Sequence, residues 1–197
     1  PFRGSIQEEV DGNVHVVQVR DTQPSGAIIQ DGIIKTILPT KKQPDWVQTG
    51  DVLFVAKGSK HYAVVAQDIP EQTVCSPHFY LIRLKPEFKE NFMPEFVCWQ
   101  LNQQLAQRYF KSTAEGSHQL SIRKQILENA PIRLLPMEKQ QHLTALYLTA
   151  MKERAALLQL IENRQKQLDA IAYQELEPFY ALVEKVVGVS GKVVKHP

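Results

Sequence analysis

From Met137 to Leu176 the chain runs 40 residues without a glycine or a proline, and most positions are Ala, Leu, Gln, Glu, Lys or Arg. These side chains lose little freedom in a helix, so the stretch predicts one helix of roughly 60 Å if continuous. Leu143, Leu146, Ala150, Leu157, Leu160, Ile161, Leu168 and Ile171 approximate a heptad seam, on which Glu153 and Arg164 also fall. Such a helix outreaches a small core, and its apolar stripe calls for a helical partner. The alternative, a helix folded back on its own domain, is the less favoured reading, given a mean globular helix of about 11–12 residues.

Before Pro136 the sequence has a different character. Short β-branched and aromatic runs are broken by turn signals such as Asp11-Gly12, Asp31-Gly32 and Gly50-Asp51. Val14–Val19, Ala27–Ile29, Ile33–Leu38, Asp51–Val55, Tyr62–Val65 and Phe79–Leu84 read as strands of a curled mixed sheet or partial barrel. Two helical stretches interrupt them. In Pro94–Lys111, Val97, Leu101, Leu105 and Tyr109 would form one apolar face, with Pro94 in the first turn. In Ser121–Asn129, Ser121 would be the N-cap and Ile122, Ile126 and Leu127 the apolar stripe, ending before Pro131. The fold class expected is α+β, with a β-rich domain over 1–135, a long coiled-coil-type helix over 136–176, and a short helical turn with a tail over 177–197.

Composition narrows the function classes. Hydrophobic residues make up 43% and charged residues 22% of the 197, which excludes wholesale disorder. The formal charge of +2 is too mild to announce a nucleic-acid binder by itself, and it argues against a polybasic membrane anchor. No apolar run approaches the ~18 residues needed to span a bilayer. Cys75 and Cys98 are too few for a disulfide scaffold and lack zinc-ligand spacing, so a soluble chain in a reducing cytoplasm is expected. Pro1 in first place implies a removed initiator methionine or tag.

Catalytic signatures are sparse. The dinucleotide, phosphate-loop, zinc-protease and nucleophile-elbow motifs are all missing, and no two of the six histidines pair at i+4. Pro44-Asp45 with Glu87-x-Lys89 spells the parts of a Mg²⁺-dependent nuclease of the PD-(D/E)xK type. Asp45 precedes a weak strand at best, and Glu87 and Lys89 follow Pro86 in a link, so the pattern lacks its structural context. No enzyme activity, metal or cofactor is expected.

Several segments look familiar together. Gly50-Asp51-Val52-Leu53-Phe54-Val55-Ala56-Lys57-Gly58-Ser59 resembles a strand and basic-Gly-Ser loop of type I restriction–modification specificity subunits. Phe79–Pro86 followed by Pro94–Asn102 is similar to the strand and helix that come next in their target recognition domains. Gly116-Ser117-His118-Gln119-Leu120-Ser121-Ile122 is similar to their Gly-Ser-x-Gln-x-x-Ile segment, and Ala130–Gln140 to the proline-rich junction that opens their long helix. Arg133 and Leu135 stand where that junction usually has prolines, and His118 replaces its usual polar residue. Family members usually carry two recognition domains and two long helices, and this chain has one of each, as in a half-length subunit or a fragment.

The resemblance implies a non-catalytic, DNA-reading subunit. It would recognise one half of a split DNA target, dock a methyltransferase subunit, and optionally serve a restriction subunit. A half-length chain would pair as a homodimer through its long helix. For DNA contact the candidate residues are Lys57, Gly58, Ser59 and Lys60, followed by Arg20, Lys41, Lys42, Ser117, Gln119 and Arg123. The segment 35–60 carries Lys35, Lys41, Lys42, Lys57 and Lys60 against only Asp45 and Asp51. Cations hold phosphates, and forked or amide side chains reach base edges. Asp21 stands ready to pair with its neighbour Arg20, and each candidate also has the plain reading of a solvated surface residue. Lys124 could flank the same face as Arg123, while Trp46 and Trp99 read as core or interface anchors. A second class of function stays open: a protein-interaction adaptor that dimerises through the long helix.

Overall fold

A computed structural model describes residues 6–38, 43–116 and 120–176. It divides the chain into two compact units, 1–148 and 149–197. The predicted segment 179–187 and the tail lie outside the described residues.

In the first unit six strands form two three-stranded sheets. They are β1 (Val14–Val17), β2 (Ile34–Thr36), β3 (Val52–Val55), β4 (Ala63–Val65), β5 (Thr73–Cys75) and β6 (Phe79–Ile82). One sheet has the order β2-β1-β5 and the other β4-β3-β6. In the first, β1 runs antiparallel to β2, with His15 opposite Lys35, and parallel to β5, with Val16 opposite Val74. The second is wholly antiparallel, with Leu53 opposite both Val64 and Leu81. Neither sheet closes into a barrel, and the α+β class stands.

The run Val52-Leu53-Phe54-Val55 shows why the unit has layers. All four residues are buried, which marks a central strand covered on both faces. Leu53 and Val55 pack with Val17 and Cys75 of the first sheet. Val52 and Phe54 face the other way, onto Val97, Leu101 and Phe110 of α1 (Pro94–Asn102) and α2 (Gln104–Thr113). Phe54 and Phe110 meet tilted at 4.8 Å between ring centroids, a favourable aromatic geometry.

Polar side chains fix the joints between these layers. Gly50, at φ +88°, makes the turn into β3 in a conformation that suits glycine. The next residue, Asp51, is buried and takes a two-pronged bond from Arg83, Nε to Oδ1 at 2.7 Å and Nη2 to Oδ2 at 2.6 Å. Arg83 also donates to the Trp46 carbonyl at 2.8 Å, tying the turn to β6. The carboxylate holds the Arg83 guanidinium in its charged form and raises its pKa. On α1, Asn102 accepts from the Ala63 N–H and donates to the Ala63 carbonyl, both at 2.8 Å. The amide therefore does for the outer edge of β4 what another strand would do. Gln100 makes the same double bond with the backbone of Arg133, at 2.9 and 2.8 Å.

The long helix α4 (Met137–Leu176) begins inside the first unit. Gln140, fully buried, accepts from the Met93 N–H at 3.0 Å and donates to the carbonyls of Asn91 at 2.6 Å and Leu135 at 2.7 Å. Thr144 is buried one turn on, and the Tyr147 hydroxyl donates to the Ser25 carbonyl at 3.1 Å. The compact unit therefore runs past Pro136 to Leu148. In the second unit the described residues from Lys152 to Leu176 are exposed. An ion pair of Lys166 with Glu162 at 2.9 Å and a Gln165–Asp169 bond at 2.8 Å brace this helix surface.

Several sequence expectations need correction. Pro94–Lys111 is two helices, because Gln103 takes an extended backbone (φ −78°, ψ 157°). The break shifts the helical phase, so Ala106 and Phe110 are buried while Leu105 stays 60% exposed. Ser121 is not an N-cap. It is bridged to Lys57 and Glu115, and α3 is only Lys124–Glu128, starting from Arg123. Ala27–Ile29 forms no strand, only an isolated bridge of Ile28 to Thr22. Sequence reading missed β5.

Replacing Gln140 with alanine strands one buried N–H and two carbonyls at once. We expect Gln140→Ala to cost about 2–4 kcal/mol, read as a lower midpoint in urea unfolding. Burial pushes the Cys75 thiol up to about 11 and the Cys98 thiol up to about 12. Both should resist iodoacetamide at pH 8 in the native protein and react fully once it is unfolded. Rapid native alkylation of either would contradict this burial.

Candidate nucleic-acid interface

The loop that leaves β3 is held by backbone bonds. The Ala56 and Lys57 N–H groups both donate to the His78 carbonyl, at 2.8 and 3.2 Å. The Gly58 N–H donates to the Leu120 carbonyl at 3.1 Å, and the Ile122 N–H to the Ala56 carbonyl at 2.8 Å. The turn 57–60 thus lies beside residues 120–122, the described end of the second segment that the sequence singled out. Lys57, Ser59 and Lys60 are exposed at this junction and Gly58 is half-buried.

Lys60 borders a cleft of about 490 Å³. Its inner wall includes His61, Tyr62 and Phe110, and its outer wall is the polar face of α2, with Gln104, Gln107, Arg108 and Lys111. His61 is nearly buried, its Nδ1 3.1 Å from the Val55 carbonyl and its ring stacked on Phe54 at 6.4 Å. A carbonyl only accepts, so the proton sits on Nδ1 and Nε2 is left without a partner. Three cations, Lys60, Arg108 and Lys111, line the cleft, and among the described residues no carboxylate does. None of the three has an ion-pair partner among the described residues. A concave surface with one sign of charge concentrates anions.

The remaining candidates are dispersed. Arg20 lies 3.6 Å from Asp21, which is itself buried. Burial raises the Asp21 carboxyl above its ordinary range, opposed by the Gln18 N–H that donates to it at 2.8 Å and by the Arg20 charge. Arg123 is exposed but engaged with Glu115 at 2.6 Å, and Lys124 with Glu128 at 3.3 Å. Lys41, Lys42, Ser117 and Gln119 lie outside the described residues. Trp99 stacks on the buried Phe96 with centroids 5.5 Å apart.

Arg108 and Lys111 are the residues that sequence reasoning missed. Positions 104, 107, 108 and 111 recur at i, i+3, i+4 and i+7, a polar stripe opposite Ala106 and Phe110. Reading one unbroken helix hid it, since Leu105 and Tyr109 then claimed the apolar face. The nuclease pattern finds no setting here. Asp45 is in an irregular segment, Glu87 is in the 3₁₀ turn Pro86–Phe88, and Lys89 follows it. Among the described residues, no three His, Cys, Asp or Glu side chains cluster so as to hold a metal ion. None of the described helices is long and apolar enough to cross a membrane.

Solved structures provide the comparison. A chain from a study of complex assembly and conformational transition of the type I R-M (restriction–modification) system matches at TM-score 0.54 and 20% identity. The HsdS subunit from Thermoanaerobacter tengcongensis matches at TM-score 0.50 and 21% identity. Each match covers 91% of this chain and 45% of the other, so this chain spans a little under half their length. The likeness is one of fold. No family model and no curated protein matches the sequence.

If the cleft gathers anions, Lys60→Ala and Lys111→Ala should elute from heparin at lower salt than the parent. Arg20→Ala and Arg123→Ala, whose charges are already engaged, should move less. Equal shifts for all four would mean that net charge alone governs retention.

Proposed function

We propose that this chain is a non-catalytic specificity subunit of a type I restriction–modification system, reading one half of a split duplex DNA target and docking a methyltransferase subunit. The observation that carries the proposal is the likeness to an HsdS subunit over 91% of this chain, against 45% of that one. One recognition domain and one long helix account for such a share. The cleft beside Lys57–Lys60 supports the DNA-facing side, since its cations have no ion-pair partner among the described residues and suit a polyanion.

The long helix supports the assembly side. Leu143 is half-buried, while Leu146, Ala150, Leu157, Leu160, Ile161, Leu168 and Ile171 are all exposed. An apolar stripe of that length in water favours a partner. In this reading two copies pair antiparallel through α4 and present two recognition domains to a palindromic split site. Holding two weak half-site readers together raises affinity and selectivity without new contacts.

The test is selection of bound duplexes from a random library by the full chain, with the methyltransferase encoded beside it. A split palindromic motif is the expected result. Lys57→Ala and Lys60→Ala should then weaken binding to every sequence and flatten its salt dependence. Self-association with retention of neither DNA nor methyltransferase would favour the adaptor reading instead.

A further inference from the structure

Five side-chain amides sit on α1 and α2 and the residue between them, and four are committed to backbone. Gln100 holds Arg133, Asn102 holds Ala63, Gln103 donates to the Trp99 carbonyl at 3.2 Å, and Gln107 donates to the Leu101 carbonyl at 2.8 Å. The last two bonds satisfy carbonyls at the end of α1, where the helix breaks. Gln104 is the exception. It is exposed, lines the cleft, and makes no side-chain hydrogen bond among the described residues. One turn on, Arg108 is exposed, faces the same cleft and is equally uncommitted.

From this we infer that α2 is the base-reading element of the DNA interface, with Gln104 and Arg108 contacting base edges and Lys60 and Lys111 holding the flanking phosphates. The inference rests on the DNA-reading function proposed above and assigns its specificity to two residues. The chemistry of the pair fits. Side chains at i and i+4 lie about 6 Å apart, a spacing of roughly two base-pair steps at ~3.4 Å each. A glutamine amide matches the N6 and N7 edge of adenine, and an arginine fork matches O6 and N7 of guanine. Cations on both sides of the pair, with no carboxylate lining the cleft among the described residues, favour a polyanion as occupant. The half-site motif should therefore contain an adenine and a guanine close together.

The experiment repeats the random-duplex selection with the full chain carrying Gln104→Ala or Arg108→Lys. The lysine keeps the charge but loses the fork, which separates base reading from general attraction. Each variant should keep near-parental affinity for unselected DNA yet lose about 10-fold or more of its discrimination at one or two base pairs. Because both positions are exposed, thermal unfolding should stay unchanged, and Gln107→Ala, which breaks a structural bond, should lower stability instead. If the parent yields a motif and both variants yield the same one, α2 is not the reader. If the parent enriches no motif under any condition, the specificity function itself fails, and this inference with it.

Discussion

The architecture depends on side-chain amides standing in for backbone. A sheet edge and a chain crossing leave N–H and C=O groups that must find partners once water is excluded. Here Asn102 closes the edge of β4, Gln100 holds the strap at Arg133, and Gln140 gathers three backbone groups where α4 begins. An amide carries both a donor and an acceptor in one plane, so it fits a peptide group better than a hydroxyl or a carboxylate can. These three contacts determine where the helices stand against the sheets. The wall of the cleft follows from that placement, since α2 starts directly after Asn102 and the extended Gln103.

Much of this was legible in the sequence, for definite reasons. The long helix was plain because helix formers run unbroken from Met137 to Leu176. The β-rich character was plain because β3 is a short run of large apolar residues and its turn is announced by Gly50-Asp51. The helix break at Gln103 was not legible, as Gln, Asn and Leu are all acceptable helix residues. What breaks the helix is tertiary. Asn102, the residue before the break, is held at both backbone groups of Ala63, 39 residues away, and no local pattern encodes that demand.

The same reason limited the candidate site. Lys57 and Lys60 could be picked out because a basic-Gly-Ser-basic turn is visible in one dimension. Arg20 and Arg123 could be picked out too, but the sequence could not show that Glu115 sits 2.6 Å from Arg123. Arg108 and Lys111 were overlooked since their joint exposure depends on the helical phase that Gln103 resets. Charge alone did not distinguish these groups. Whether a cation already has a partner depends on the fold.

The parallel pairing of β1 with β5 has a consequence for the order of folding. His15 lies opposite Thr73, so the first sheet cannot be completed until a stretch of nearly 60 residues has been drawn into a loop. That stretch contains β3 and β4, whose antiparallel pairing closes a much shorter loop. Loop-closure entropy favours the hairpin, and only then is there a surface on which Val17 and Cys75 can come together. On a ribosome, β1 and β2 emerge well before their third strand. Until residue 75 is available, β1 has one edge without its partner, while the β3–β4 hairpin already has both of its strands.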